Sequence, residues 1–256
     1  MRNLSITFIF LLTSLISLTI FVGVSKVNDV PKLEIITPHM YDNEERSIET
    51  INLSIMYFVP KDRTDRIKDN WQEAAIYKLK ELQDFHQTQF RGTSIIDYKL
   101  LNEIVIGEKN AKEYEDYFGY DDKDSLVPVK NEITKRILTL DGDLYNKSIS
   151  EIKPGERKVY LVIFEGVGAA GNENFSLISR SYLTDSMHKD NGSTFLAHEF
   201  YHTLGLPDNY KTSMKVYEDN QQEKISIPTK LDIMGQVNIP IFDTYIDNEI
   251  LNKMGL

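Results

Sequence analysis

Apolar and polar positions divide the chain into segments of different period. Asn3 to Ser25 is an uncharged run, mostly Ile, Leu, Phe, Val, Ser and Thr, preceded by Arg2. A basic start followed by an apolar run reads as an export signal, and the run is also long enough to stay in a bilayer as an anchor. Gly23 and Ser25 offer small residues for cleavage near Lys26. Either outcome puts the rest of the chain outside the cytoplasm, because a short basic end stays inside. Residues 26–50 are polar, carry Pro31, Pro38, Asp42, Glu44 and Glu45, and read as a linker.

The rest alternates between strand and helix periods. Ile51 to Val59 is rich in β-branched and aromatic residues and predicts a strand ended by Pro60. From Thr64 to Phe90, Ile67, Trp71, Ala74, Ala75, Leu79, Leu82 and Phe85 recur at helical spacing and predict a long helix on a sheet. Ser94 to Ile106 predicts a second strand, Lys109 to Phe118 a charged helix or loop, and Leu126 to Leu140 a second helix. Val159 to Phe164 is a continuous apolar run, as in a central strand buried on both faces. Phe175 to Leu183 predicts a short edge strand, Lys211 to Lys230 irregular chain, and Asp243 to Met254 a final helix. The pattern predicts an α/β (α+β) class, with a twisted mixed sheet and long helices.

Composition narrows the chemistry. The 256 residues carry a formal charge of −10 and no cysteine. The acidic balance argues against a nucleic-acid partner. Without Cys there is no disulfide, thiol nucleophile or Cys-ligated metal. Gly166 to Gly171 lacks the endings of phosphate-binding loops and reads as a flexible loop. Asp121, Asp122 and Asp124, like Asp141 and Asp143, offer oxygens to Ca2+ without EF-hand spacing; solvated acidic turns are the preferred reading.

The chemistry concentrates in Ala197 to Asp208, AHEFYHTLGLPD. His198 and His202 are four apart, so on a helix both imidazoles face one side and can share a metal ion. Glu199 adjoins the first ligand and can take a proton from water as a general base. A catalytic zinc site needs three protein ligands. Gly205 and Pro207 end the helix, and Asp208 returns a carboxylate six residues after His202.

HExxHxxGxxD resembles the extended zinc motif of metzincin-type metallopeptidases, in the variant with Asp as third ligand. Asp232 to Gly235 (DIMG) resembles the Met-turn, which places Met234 beneath the metal. HEFYHTLGLPDNY is similar to the immune inhibitor A type of bacterial secreted metallopeptidase. The resemblance covers Phe195 to Gly235. It implies a zincin fold in which residues 51–256 form the catalytic domain. An N-terminal subdomain, 51–205, would carry the active-site helix, and a small C-terminal subdomain, 206–256, the Met-turn and final helix. An edge strand beside the cleft would pair with an extended protein or peptide substrate. Several metzincins carry a Tyr two residues after the Met; here Gln236 stands there, leaving Tyr210 or Tyr245 for that role. The function implied is an extracytoplasmic zinc endopeptidase, secreted or anchored, touching a membrane only through residues 1–25. A zinc-binding surface protein without turnover, or a zinc hydrolase of a non-peptide amide, are the alternatives. A base at Glu199 speaks for turnover.

Overall fold

The computed structural model describes residues 36–115, 126–138, 153–216, 222–227 and 231–256. The expected signal or anchor, residues 26–35 of the expected linker, and both acidic stretches considered for calcium lie outside the described residues.

A five-stranded sheet carries the fold. It comprises β3 (Thr50–Val59), β4 (Ile95–Ile106), β5 (Glu156–Phe164), β6 (Ala169–Asn172) and β7 (Phe175–Ser179), in the order β4-β3-β5-β7-β6. Pairing is parallel except for β6, which runs antiparallel to β7. The class is therefore mixed α/β with a mostly parallel sheet. The alternation along β3 and β5 shows why. Ile51, Leu53, Ile55, Tyr57 and Val59 of β3, with Val159, Leu161 and Ile163 of β5, enter one core. Met56, Phe58, Tyr160, Val162 and Phe164 enter the other. A strand covered on both faces has no polar side to show, hence its continuous apolar run.

The first face is covered by α1 (Trp71–Gln89) and α5 (Gly192–His202). Trp71, Ala75, Leu79, Leu82 and Phe85 bury one stripe of α1, at about 2 kcal/mol for each large side chain removed from water. The expected helix from Thr64 shortens because Thr64–Arg66 is one 3-10 turn and Ile67 is extended. The second face carries α2 (Ala111–Glu115) and α3 (Leu126–Ile133), which bury Tyr114, Leu126, Val129 and Ile133. After β7 comes α4 (Arg180–Thr184), and α6 (Asn248–Lys253) is the last element. The final helix is shorter than expected: Asp247 accepts from Glu249 N and caps it, while Ile241–Asp243 forms a separate turn.

Three more segments depart from expectation. Residues 36–50 are no linker: β1 (His39–Met40) pairs with β2 (Asn43–Ser47), and Met40 and Ile48 are buried in the core. Lys211 to Lys230 is not irregular throughout, since β8 (Lys211–Val216) pairs antiparallel with β9 (Gln222–Ile227). Phe175 to Leu183 is not the edge, because β7 lies between β5 and β6 and all five of its residues are buried. The edge falls to β6, inside the stretch that reads as a flexible loop. The approach to β6 is pinned: Ser179 Oγ donates to Gly166 O, Val167 N to Glu115 Oε1 at 2.9 Å, and Ser179 N to Gly168 O at 2.7 Å. Residues 36–256 fold as one unit. No helix among the described residues is long and apolar enough to cross a membrane.

Candidate metal centre

Two stripes of α5 do different work. Leu196, Ala197, Phe200 and Tyr201 enter the core against α1 and the sheet. The register then leaves His198, Glu199 and His202 on another stripe, away from α1. Ser193 and Thr194 do not cap the helix; their hydroxyls donate to Glu81 and to Ile239 O. The helix ends at His202, and Gly205 has φ +86°, the left-handed turn its position predicts.

That turn returns Asp208 to the histidines. Asp208 Oδ1 lies 3.1 Å from His198 Nε2 and 3.2 Å from His202 Nε2, and the two Nε2 atoms are 3.2 Å apart. His198 Nδ1 lies 3.0 Å from Ile233 O, and His202 Nδ1 lies 2.9 Å from Leu206 O. A carbonyl only accepts, so each ring carries its proton on Nδ1 and, when neutral, presents a bare lone pair at Nε2. Three acceptors then face one another without a donor, and a cation would supply what they lack. The spacing fits zinc: a tetrahedron with bonds of about 2.05 Å has edges of about 3.3 Å. Two imidazoles and one carboxylate with hydrogen-bonded outer nitrogens are a donor set suited to that ion.

The electrostatics agree. Burial pushes the Asp208 carboxyl up, but its contacts with His198 and His202 outweigh this and hold it well below the usual carboxylate range. Burial pushes the His198 imidazole down; Asp208, Glu199 and the Ile233 carbonyl together reverse this and raise it. A site that strengthens its hold on a proton is attracting positive charge. Glu199 is 8% exposed and its charge reaches both His198 and Tyr182.

The DIMG stretch is a tight turn in contact with His198. Buried Asp232 accepts from Met234 N at 2.7 Å and Asp247 N at 2.6 Å. The turn aims the Ile233 carbonyl at His198, and Met234 is fully buried in the core. Met234 O accepts from Asn209 N at 2.8 Å, fixing the residue after Asp208. Sequence spacing brings His198, His202 and Asp208 together; Asp232 as builder of the turn has no such spacing, and its one signal is an acid among the apolar Leu231, Ile233 and Met234. Of the two tyrosines, Tyr210 reaches the centre: its hydroxyl donates to Asp208 Oδ2 at 2.8 Å. Tyr245 is 41% exposed, and its backbone pairs with Leu231 and Ile233.

Two further groups had no sequence signal. On β6, a Cβ at Gly171 would stand 2.0 Å from Glu199 O and 2.8 Å from His202 Cβ, so glycine lets the edge strand lie against the helix that carries the site. Arg157 Nη2 donates to Thr203 O at 2.9 Å and Glu173 O at 3.0 Å, tying the end of α5 to the end of β6. Burial pushes its guanidinium down, with nearby Arg46 adding to this. His86 lies apart from this cluster. It is fully buried between α1 and α5, 2.9 Å from Ser94 Oγ and 3.3 Å from the Tyr201 hydroxyl.

Compared with known proteins, the chain matches no family model and no curated protein.

Proposed function

We propose that this chain is a metzincin-type zinc endopeptidase, working outside the cytoplasm by virtue of its first 25 residues. The carrying observation is the convergence of His198 Nε2, His202 Nε2 and Asp208 Oδ1, with both outer nitrogens held by carbonyls. Glu199 on the same helix supports turnover over mere binding. An antiparallel edge strand beside the helix also agrees with the resemblance.

His198, His202 and Asp208 would hold the zinc, which when bound supplies a Lewis acid for the scissile carbonyl and for water. Glu199 takes one proton from the attacking water as its oxygen bonds to the carbonyl carbon. As the C–N bond breaks, Glu199 gives that proton to the departing amine. The open edge of β6 pairs with the extended substrate and fixes the bond relative to Glu199. Tyr210, whose hydroxyl rests on Asp208 Oδ2, is our choice over Tyr245 for the donor that steadies the developing oxyanion, by turning its one O–H from Asp208 to that oxygen.

The test measures zinc content and cleavage of a random peptide mixture by the full chain and by Glu199→Ala. Equimolar zinc in both, with cleavage lowered by about 100-fold or more in the variant, is expected. A zinc-loaded parent that cuts nothing, or a variant that cuts as well as the parent, overturns the proposal.

A further inference from the structure

A cavity of about 260 Å³ adjoins His202. It is smaller than the roughly 300–1,000 Å³ that whole small ligands occupy, and suits a single side chain. Met40 and Leu206 give it apolar surface, while Gly171 and Asn172 of β6 bring the edge strand into its wall. Asp42, from the turn between β1 and β2, brings a carboxylate. Gly205 allows that approach, since a Cβ there would lie 2.6 Å from Asp42 Oδ1.

Asp42 feels the charge of Arg157 without being bonded to it. Its carboxylate makes no hydrogen bond or ion pair among the described residues, and Arg157 acts on it only at longer range. Glu173, the other acid in the wall, is taken by Lys130 at 2.7 Å. Apolar surface from Met40 and Leu206, with the Asp42 carboxylate at the rim, matches an aliphatic stem with a cationic head. Nothing in the run from Ala197 to Asp208 signals this, because Asp42 arrives from the start of the fold.

We propose that this cavity is a subsite for a Lys or Arg side chain of the peptide substrate, with Asp42 as its counter-ion. The assignment rests on the peptidase reading and specifies its substrate class. It also gives a direction. Among the described residues no strand occupies the outer edge of β6. A peptide adding there in the more stable antiparallel sense runs opposite to β6, so its amino side lies toward Asn172. Gly171 is level with Glu199 and His202. The basic residue therefore sits one or two positions on the amino side of the cut bond.

Two measurements on the zinc-loaded full chain test this. Cut sites in a random peptide mixture are expected to be enriched in Lys and Arg at those positions, and the enrichment to vanish in Asp42→Asn. Separately, a short blocked peptide containing D-residues around the scissile position, with either Lys or norleucine at the basic position, is titrated by calorimetry. About fivefold tighter binding of the Lys peptide, the size of one half-exposed ion pair, is expected in the parent and parity in Asp42→Asn. Cutting without basic enrichment, equal binding of the two peptides, or a preference that survives Asp42→Asn overturns the subsite. No cutting, with the Lys preference in binding intact and sensitive to Asp42, leaves the subsite standing and removes the peptidase reading instead.

Discussion

Replacing Gly171 with alanine adds one methyl group where β6 touches α5. The new Cβ would begin 2.0 Å from Glu199 O. Carbon and carbonyl oxygen settle no closer than about 3.3 Å, so the two elements must part by about 1.3 Å. Their ability to yield is unequal. The helix is held by Leu196, Ala197, Phe200 and Tyr201 in the core, whereas β6 has one neighbouring strand. The strand is therefore the part that lifts. Overpacking of this kind costs about 1–3 kcal/mol, which the fold can absorb. Misplacing a substrate by about 1 Å costs about 100-fold in rate. Gly171→Ala is thus expected to keep its zinc, lose about 2 kcal/mol in a urea titration, and lose about 100-fold in kcat/KM. Parent-level kcat/KM in this variant would refute the idea that β6 aligns the substrate. Loss of zinc instead would mean that the helix, not the strand, moves.

Other perturbations separate the supporting groups. His86 is held down to about 3, against an ordinary 6.5, because burial disfavours its charged form. The unfolded chain therefore takes up the proton first, so the stabilisation is complete above pH 6.5 and is lost as the pH falls toward 3. By pH 5 the loss is about 2 kcal/mol, and His86→Gln should show a correspondingly shallower loss between pH 7 and 5; an unchanged slope excludes His86 as the source. Tyr210→Phe frees Asp208 Oδ2 and should weaken zinc binding about 10-fold to 100-fold in a chelator competition, with unchanged affinity counting against Tyr210 as orienter. Arg157→Met removes charged donors from two carbonyls and should cost about 2 kcal/mol in denaturant unfolding; wild-type stability would show that the clamp contributes nothing net.

Legibility in the sequence follows the range of the forces involved. His198, His202 and Asp208, with Glu199 beside them, are readable because a shared metal ion would require lone pairs at fixed helical offsets, and a glycine turn returns the third. The central strand is equally plain, since burial on both faces leaves no polar position between Val159 and Phe164. The edge strand is hidden in the sequence because its composition answers to tertiary contact. Ala169, Ala170 and Gly171 look like flexible chain, yet Gly171 serves close approach to α5 and Ala170 is buried in the core on the other face. Phe175 to Ser179 has the look of an independent strand at an edge, and only the pairing of β6 beyond it puts it inside. Met40, Asp42 and Arg157 reach the site from distant parts of the chain, and no local period announces them. Residues 36–50 read as linker because their polar positions dominate, while Met40 and Ile48, with Tyr41 packed beside them, carry the contact with the core.

The docking of β1 and β2 bears on when the centre can form. Tyr41 N donates to Leu204 O at 3.0 Å, at the exit of α5, and His39 N donates to Met254 O at 3.0 Å. The β1–β2 hairpin is thus bonded to a residue just past α5 and to one near the end of α6. The His198 ring meanwhile depends on Ile233 for its orientation. On the ribosome, the HExxH helix emerges tens of residues before these later partners. Until they arrive, His198 has no carbonyl to fix its tautomer, and the hairpin has only half of its dock. Maturation of the centre is therefore coupled to completion of the whole fold, through contacts of very long sequence separation, which close late. A partly synthesised chain carries the motif without the geometry.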